Sequence, residues 1–596
     1  MPGGGLGRSV WAAARLLTEH AEVTILTSER HRAHHEKLRA TGDTRLPEGV
    51  RFAFAAEPDE DSSPYASWFQ GWAAALLEGV IELYPDGGPD VVEAPDYQGD
   101  GFAISHAIRS RDPRLRRTTL AVRLHTSAEI CAALDERADD IHLQVVRGME
   151  RFPLAYADVL LEPGGDVMER YRRYYGAERL APSIYCPPPV TTDTMPSAGG
   201  HPLPRADGPL RILYLNRLQR LKGIEDLLAA VAAIDSDDFR LTVVGGDTDT
   251  GPGGSSMRRY VERMTDGDGR VRFAERVPYE EIGELISDHH LVVVPSRWEA
   301  FSYVVREALA CNRPVLATPV GPIPDVVELG RSGWLARSGS VDDLRRALAE
   351  AIADRDEIDR MIEKGLPRQV LEANTNEDVI VERYRGLLGV AGRRPRASRS
   401  STDGIAAVVA GEPDGPPLAP TLRSLARQRG VAVEATVVGL EPEPSDLPLV
   451  ARVVAPPNDR TDRIALWAAG AREATGGLLL LLPAGAELES DFAARAVAAL
   501  EEGHAFAYAT AFVRHGREVW HAPAGNFELP VQLDLGASVA MVRRSALAEA
   551  LAGDDCPPDE ASLFAALAKQ GHFGVVLHEP LVTRLPRRSG AGHVVT

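Results

Sequence analysis

Two glutamates lie just after a run of apolar residues, in the stretch "VVVPSRWEAFSYVVREALACNRPVLATPVG" (Val292–Gly321). Glu299 and Glu307 stand there with seven residues between them. The pattern predicts a buried strand that ends near Ser296 and a helix that begins near Ser302, so the free N–H groups of the helix favour a phosphate. Carboxylates accept hydrogen bonds from hydroxyl groups. The stretch therefore predicts a site for a phosphate-containing ligand rich in hydroxyls, such as a nucleotide sugar.

The elements that would position these residues are strands alternating with amphipathic helices, a pattern typical of parallel sheets covered by helices. Two sheets are predicted before residue 390. The strands of the first are 21–28, 89–95, 118–126 and 157–163, and those of the second are 210–217, 239–246, 271–277, 291–296 and 314–321. Ligands bind such sheets at the carboxyl ends of the strands, and two facing sheets leave a cleft there.

Composition divides the chain into several parts, since 596 residues with 44% hydrophobic content exceed what one core supports. The boundaries follow Pro, Gly and Ser density and one basic run. The predicted parts are a first Rossmann-like domain (1–190), a linker (191–209), a second Rossmann-like domain (210–366), a helical segment (367–390), a basic tether (391–402) and a third α/β domain (403–596).

Charge and cysteine content limit the function classes. A net charge of -20 makes the whole protein a poor electrostatic partner for nucleic acid or an anionic membrane. The four cysteines show no CxxC spacing, which favours a reducing compartment over a zinc site or a disulfide framework. No apolar run approaches the roughly 20 residues that span a bilayer. We therefore expect a cytoplasmic protein without a transmembrane segment.

The glutamate stretch resembles the E-x7-E signature of the family 4 retaining glycosyltransferases, which have the GT-B fold of two Rossmann-like domains. Other segments match that family in the right order. "ILYLNRLQRLKGIEDLLAAV" (Ile212–Val231) is similar to its G-R-x-x-x-x-K-G segment, Val122–Ile130 to its histidine strand, and "GGGLGRSV" (Gly3–Val10) to its glycine-rich loop. Several motifs in order are far more specific than one glycine loop.

The resemblance implies roles for individual residues. Arg217 and Lys222 would neutralise the departing diphosphate, Glu299 would bind hydroxyls of the transferred sugar, and His125 would lie near the sugar and the acceptor. The implied donor-binding residues are Glu307 at the ribose, together with Ser302, Phe301, Tyr303, Gly4 and Gly5. No metal or other cofactor is expected at this site, and the donor would be a UDP- or GDP-sugar used as substrate.

The chain departs from the family pattern at a few positions. Asn216 and Ser302 stand where the family has glycine, and Pro322 removes one backbone donor. Only Met1 and Pro2 precede Gly3, whereas GT-B proteins have an apolar strand before the glycine-rich loop. We therefore expect the first domain to lack a central strand, and we expect an upstream segment to supply it.

The third domain resembles the family 2 glycosyltransferases of GT-A fold, whose D-x-D motif holds a divalent metal. The corresponding strand end here is Pro483, Ala484, Gly485 and Ala486, whose side chains cannot bind a metal. Glu560 stands where the family has its catalytic aspartate. We interpret this domain as catalytically degenerate, with a possible role in binding an acceptor, in partner binding or in oligomerisation; a second active site using Glu487 and Glu489 remains the less favoured alternative.

The function expected from the sequence is retaining transfer of a sugar from a nucleotide diphosphate donor to an unidentified acceptor. One alternative is a non-catalytic scaffold that binds sugars or nucleotides. The other is a bifunctional transferase with a second active site in the third domain. No residue in the sequence distinguishes the donor base, the sugar or the acceptor.

Overall fold

The computed structural model describes three α/β regions: a first region (4–190), a second region (208–391) and a third region (404–584). The described residues are 4–41, 48–59, 67–109, 112–137, 140–190, 208–391, 404–412, 415–445, 450–457, 462–500, 506–515, 518–520, 539–552, 557, 559–570 and 572–584. The two predicted linkers, 191–209 and 391–402, lie almost wholly outside these residues.

The first region holds two separate parallel sheets, in the orders β1-β2 and β3-β4-β5-β6. Its strands are β1 Val23–Ser28, β2 Val50–Ala55, β3 Val91–Pro95, β4 Thr119–Arg123, β5 Val159–Glu162 and β6 Ser183–Tyr185. Its helices are α1 Gly5–Leu17, α2 Arg32–Ala40, α3 Trp68–Leu83, α4 Phe102–Arg109, α5 Ala128–Leu134, α6 Ile141–Tyr156 and α7 Val167–Tyr175. The prediction of one first sheet is wrong for the described residues, because no strand among them pairs with both β1 and β3. That a strand is missing from this domain stays a prediction.

The second region is one six-stranded parallel sheet in the order β12-β11-β10-β7-β8-β9. Its strands are β7 Leu210–Leu215, β8 Phe239–Val244, β9 Val271–Ala274, β10 Leu291–Val294, β11 Val315–Ala317 and β12 Gly333–Leu335. Its helices are α8 Ile224–Ala232, α9 Met257–Met264, α10 Ile282–Ser287, α11 Tyr303–Ala310, α12 Val341–Ala353, α13 Arg355–Glu363, α14 Leu366–Ala373 and α15 Glu377–Leu387. All five strands predicted for this sheet are present, and β10 is buried along its whole length, as its unbroken apolar run predicts.

The third region is a mixed nine-stranded sheet in which β15-β14-β13-β16 run parallel and β20 joins β16 antiparallel. Its strands are β13 Ile405–Ala410, β14 Val433–Val438, β15 Val450–Val454, β16 Leu478–Pro483, β17 Ala486–Leu488, β18 Phe506–His515, β19 Glu518–Trp520, β20 Ala540–Arg543 and β21 Phe573–Arg584. Its helices are α16 Ala419–Ala426, α17 Arg463–Glu473, α18 Phe492–Ala499, α19 Arg544–Ala550 and α20 Glu560–Lys569. The α/β class predicted from the sequence is confirmed.

The first region contacts the rest of the chain at two junctions outside the predicted cleft. Helix α15 returns to β4, where the buried Arg123 donates a hydrogen bond to the Tyr384 hydroxyl at 2.8 Å. On another face, Phe506 of the third region lies parallel to the Phe152 ring, with centroids 6.2 Å apart, and packs on Tyr156 at 4.7 Å. Arg495 lies 3.8 Å from the buried Asp112 at the same junction. The third region therefore shares an apolar core with the first.

No helix among the described residues is both long enough and apolar enough to pass through a bilayer.

Candidate active site

The predicted glutamate Glu299 lies at the carboxyl end of β10 and is 7% exposed. Its Oε1 accepts a hydrogen bond from Lys222 Nζ at 2.9 Å and another from Ser296 Oγ at 2.7 Å. An ammonium group paired with a buried carboxylate stabilises both charges in a place with little water. The structure thus brings together two residues that lie 77 positions apart in the chain.

Lys222 reaches this position from the short 3-10 helix that follows β7, and Gly223 makes that path possible. Gly223 has a φ of 69°, and a Cβ there would lie 2.0 Å from the carbonyl oxygen of Pro295. Only glycine fits such a close approach of two backbones. The tight turn carries the loop after β7 directly against the loop after β10. The K-G pair of the sequence motif is therefore a packing requirement as well as a source of charge.

Arg217, the other predicted cation, is exposed at the end of β7. Its positive charge acts to lower the pKa values of Tyr97, Cys131 and Asp135, which belong to the first region. Its guanidinium therefore faces the cleft between the two regions. Lys222 also follows β7, and the charges of Arg217 and Lys222 both act on Cys131, so the two cations face the same part of the first region.

Glu307, the second predicted glutamate, lies in α11 and is fully buried. Its ion-pair partner is Arg8, which comes from α1 of the first region. Arg8 is therefore the cationic partner that a carboxylate as deeply buried as Glu307 requires. The sequence analysis missed Arg8, although this residue stands inside the glycine-rich segment that it singled out.

The start of α11 is held in an unusual backbone conformation. Ser302 caps the helix with φ 58° and ψ 83°, in the left-handed region, and its buried hydroxyl has no hydrogen-bond partner among the described residues. The buried Arg306 donates hydrogen bonds to the carbonyl oxygens of Phe301 and Ser302. Burial lowers the pKa of Arg306 to about 10. The N–H groups in the first turn of a helix have no partner within the helix, so those of α11 are available to a ligand.

Phe301 and Tyr303, predicted donor-binding residues, are 6% and 9% exposed and pack in an apolar cluster. The guanidinium carbon of Arg306 lies 3.7 Å from the centroid of the Phe301 ring. Both side chains thus support α11 from its apolar side. Any contact that these two residues make with a donor would come from their backbone.

His125 lies at the carboxyl end of β4 in the first region, as predicted. Burial lowers the pKa of His125 to about 3, and the nearby positive charge of Arg123 acts in the same direction. The imidazole is therefore neutral at ordinary pH, so it serves as a hydrogen-bonding group.

The buried Asp96 fixes the turn that carries His125. It accepts hydrogen bonds from the backbone N–H of His125 at 2.8 Å and of Thr126 at 3.4 Å. Burial raises the pKa of Asp96 to about 6. Thr126 in turn accepts a hydrogen bond from Trp298 Nε1 at 2.8 Å, across the cleft and next to Glu299. Asp96 follows a predicted strand directly, a signal that could have identified it from the sequence.

Gly4 and Gly5 form the start of α1, where Gly4 has a φ of 118° and caps the helix. A Cβ on Gly4 would meet no described atom within 4 Å, and one on Gly5 would lie 3.7 Å from Tyr303. The glycine-rich segment therefore lies against the beginning of α11. The structure thus brings this segment of the first region close to Glu307 of the second, across the cleft.

The corresponding strand ends of the third region have a different character. Arg463 makes ion pairs with Glu560 and with Glu412, the latter at 2.8 Å. A Cβ on Gly411, just after β13, would lie 2.3 Å from the Leu440 side chain. Side chains of the same region therefore fill the space between the ends of β13 and β14.

None of the predicted third-domain residues forms a cluster of three possible metal ligands within the described ranges. Strand β16 ends at Pro483, and Glu487 lies in the next short strand, β17, which pairs with β21. The backbone N–H of Glu489 donates a hydrogen bond to the carbonyl oxygen of Leu581.

Comparison with known proteins adds a family match for part of the chain. Residues 201–367 match the family model described as "Glycosyl transferases group 1". The chain is 36% identical over 149 residues to a D-inositol 3-phosphate glycosyltransferase of Corynebacterium jeikeium, covering 24% of this chain and 35% of that protein. It is 30% identical over 217 residues to the protein of the same name from Geodermatophilus obscurus, covering 34% and 47%. The chain thus spans less than half the length of these two relatives.

Solved structures with a similar arrangement include a sucrose-phosphate synthase from Thermosynechococcus elongatus, with a TM-score of 0.48, 21% identity and coverage of 64% of this chain and 92% of that one. An Anabaena protein solved in complex with UDP and glucose has a TM-score of 0.46 and 15% identity, over 65% and 96% of the two chains. Arg217, Lys222, Glu299 and Glu307 all lie in the segment 201–367, which is the part of the chain that matches the group 1 glycosyl transferases.

Proposed function

We propose that the protein is a retaining glycosyltransferase of GT-B fold, which moves a sugar from a nucleotide diphosphate donor to an acceptor hydroxyl. The observation that carries this proposal is the Lys222–Glu299 pair at 2.9 Å, in the same cleft as Arg217 and the buried Glu307. Two cations and two carboxylates around a helix start match the charge pattern of such a donor. The family match over 201–367 supports the same assignment.

Each group has a distinct task in the proposed reaction. The diphosphate lies against Arg217, Lys222 and the first turn of α11, which stabilise the negative charge that grows as the bond to the sugar breaks. Glu299 accepts hydrogen bonds from sugar hydroxyls, and Glu307 accepts those of the ribose. Two fixed cations and a helix terminus supply the charge that a metal supplies elsewhere, so we propose metal-independent transfer.

The proton of the acceptor hydroxyl passes to an oxygen of the departing diphosphate as the new glycosidic bond forms on the same face of the sugar. His125 supports this step as a neutral hydrogen-bonding group, since its pKa of about 3 leaves the imidazole uncharged. Asp96 acts through His125 by fixing its backbone.

The acceptor would enter from the first region, beside His125. Two relatives are named D-inositol 3-phosphate glycosyltransferases, so a phosphorylated polyol is the first acceptor class to test. We also propose a cytoplasmic location, in keeping with the thiols of Cys131, Cys186 and Cys311, which form no disulfide bond within the described part of the chain.

For the third region we propose a GT-A-like module that has lost transfer activity. Side chains fill the space at its strand ends, and Arg463 forms an ion pair with Glu560, which stands at the position of the family's catalytic aspartate. Its apolar junction with the first region supports a structural role towards the acceptor side.

Ligand-induced thermal stabilisation tests the proposal. Full-length wild type and the Arg217→Ala/Lys222→Ala variant are measured with UDP, GDP and ADP, with and without manganese. We expect one nucleotide to raise the Tm of wild type without metal, and we expect the double variant to lose this shift. No shift with any nucleotide would favour the scaffold alternative. A shift that requires manganese and ignores the substitutions would favour a second active site in the third region.

A further inference from the structure

Arg8 contacts two groups of the second region at once. Its guanidinium carbon lies 4.4 Å from the centroid of the Tyr279 ring, in a cation–π arrangement. The same guanidinium forms the ion pair with the buried Glu307. Arg8 itself stands on α1 of the first region, and its side chain is 18% exposed. One flat cationic group therefore bridges an aromatic face and a carboxylate across the cleft.

This pair of contacts has the shape of a nucleoside site. A nucleoside presents a flat base that stacks on an aromatic ring and two ribose hydroxyls that donate to a carboxylate. Since one guanidinium touches both Tyr279 and Glu307, the ring and the carboxylate are spaced closely enough for one nucleoside to contact both. Glu307 is also fully buried, so any group that replaces Arg8 there must supply hydrogen-bond donors.

Charge explains why Arg8 occupies this place. A carboxylate as deeply buried as Glu307 is costly without a positive partner. Burial lowers the pKa of Arg8, and the nearby Arg276 acts in the same direction, whereas Tyr279 and Tyr303 act against it. These groups change the pKa of Arg8 in opposite directions. Its guanidinium occupies a position that the neutral nucleoside part of a ligand, with its two hydroxyl donors, can take instead.

We propose that Arg8 occupies the nucleoside half of the donor site, and that donor binding replaces its contacts with Tyr279 and Glu307 by those of the base and the ribose. This inference rests on the proposed function and adds two residues to it. Tyr279 is the surface on which the base stacks, and Arg8 sets nucleoside affinity from the opposite region. Release of Arg8 also removes one of the links between α1 and α11.

The test is isothermal titration of wild type, Arg8→Gln and Arg8→Ala with UDP, GDP and ADP, and separately with inorganic pyrophosphate. We expect the variants to bind the preferred nucleotide about tenfold more tightly, because no charged hydrogen-bonding partner must first be displaced. Pyrophosphate has no nucleoside, so its affinity should stay unchanged. Arg39→Ala, at an exposed arginine of α2, is the matched control, and thermal unfolding verifies that each variant is folded.

The outcomes separate the inference from the proposed function. Metal-independent nucleotide binding with equal affinity in wild type and Arg8→Gln overturns the inference and leaves the function standing. Weaker binding of both the nucleotide and pyrophosphate in the variants also overturns it, and would place Arg8 at the diphosphate. If no nucleotide binds any of the proteins, the inference and the proposed function fail together. A Tyr279→Ala variant that weakens nucleotide binding but spares pyrophosphate supports the inference independently.

Discussion

The second and third regions each carry glutamates at the sheet edge formed by the carboxyl ends of parallel strands, but the partners of these glutamates differ. In the second region, Glu299 is paired with Lys222 of a neighbouring loop, and Glu307 is paired with Arg8 of the first region. In the third region, Arg463 pairs with glutamates of its own region. A contact between two regions, such as Arg8–Glu307, can exchange for a ligand more readily than a contact within one packed core.

Position at a strand end does not by itself determine the surroundings of a charged group. Both sheet edges carry glutamates and glycines, and both lie at the ends of buried apolar strands. The difference lies in where the cationic partner comes from. Glu307 is paired with Arg8 of another region, whereas Glu412 and Glu560 share one arginine of their own region. Substitutions at both edges can therefore break or sharpen the distinction.

The largest effect is expected for Lys222→Ala. Removal of its charge eliminates the cation that we propose stabilises the leaving diphosphate, and it leaves the buried Glu299 without its cation. We expect the turnover number for sugar transfer to fall by on the order of 100- to 1000-fold. The exposed Lys364→Ala is the control and should behave as wild type. Near-normal transfer by Lys222→Ala would remove the main distinction between the two edges.

Phe506→Ala tests how the third region contributes to the rest of the molecule. Phe506 is 2% exposed, stacks on Phe152 and packs against Tyr156 at a tilt, so truncation leaves a cavity at the junction. We expect the free energy of unfolding to fall by about 3 kcal/mol, measured by urea denaturation. Val453→Ala, at an exposed strand position, should change it by less than about 0.5 kcal/mol.

The unfolding transition of Phe506→Ala also tests whether the first and third regions unfold together. If the third region supports the first through a shared core, probes in both regions should shift together. Two well-separated transitions, with the shift confined to the third region, would show that the two regions fold independently and that the junction has no supporting role.

Much of the fold could be predicted from the sequence, because the strands are continuous apolar runs with clear ends. Strand β10 begins at the predicted Leu291, and β7 begins at the predicted Leu210. Strands β2, β6 and β12 were not predicted: β6 and β12 have only three residues each, and β2 alternates apolar with charged or small residues instead of forming a continuous apolar run. The division of the first sheet escaped prediction as well, since pairing between strands is not a local property.

The site was predicted only as far as it depends on sequence motifs. The cleft-facing position of Lys222 and Glu299 follows from strand ends and spacing. The contacts Arg8–Glu307 and Trp298–Thr126 depend on how two regions face each other, which no local pattern encodes. The core position of Phe301 could not be predicted either, because a helix start exposes one face to the ligand and buries the other.

His125 gives a pH-dependent test of the neutral state proposed for the cleft. Its pKa is about 3 in the folded protein, below the ordinary value of about 6.5. Below pH 6.5 the unfolded chain binds the proton and the folded protein does not, so the free energy of unfolding falls as the pH is lowered towards 3. Relative to His125→Gln, wild type should lose up to about 1.4 kcal/mol per pH unit in this range.

Chemical denaturation at several pH values between 4 and 8 measures this difference, with the exposed His20→Gln as control. A constant difference between wild type and His125→Gln across this range would mean that the imidazole has the same pKa in the folded and the unfolded protein. His125 would then gain its positive charge near pH 6.5 and would be uncharged only above that pH.

The smallest effect on transfer is expected for Glu560→Gln. This substitution removes the charge of the residue at the family's catalytic aspartate position and keeps the shape of the side chain. Glu560 is paired with Arg463, and Glu412 remains as a second partner of that arginine. We therefore expect turnover within twofold of wild type and a loss of about 1 kcal/mol in the free energy of unfolding, measured by steady-state transfer and urea denaturation. The same exchange at Glu299 should lower turnover sharply, because Glu299 faces the proposed donor cleft. Comparable losses at Glu560 and Glu299 would make the two edges equivalent and establish two sites of transfer in one chain.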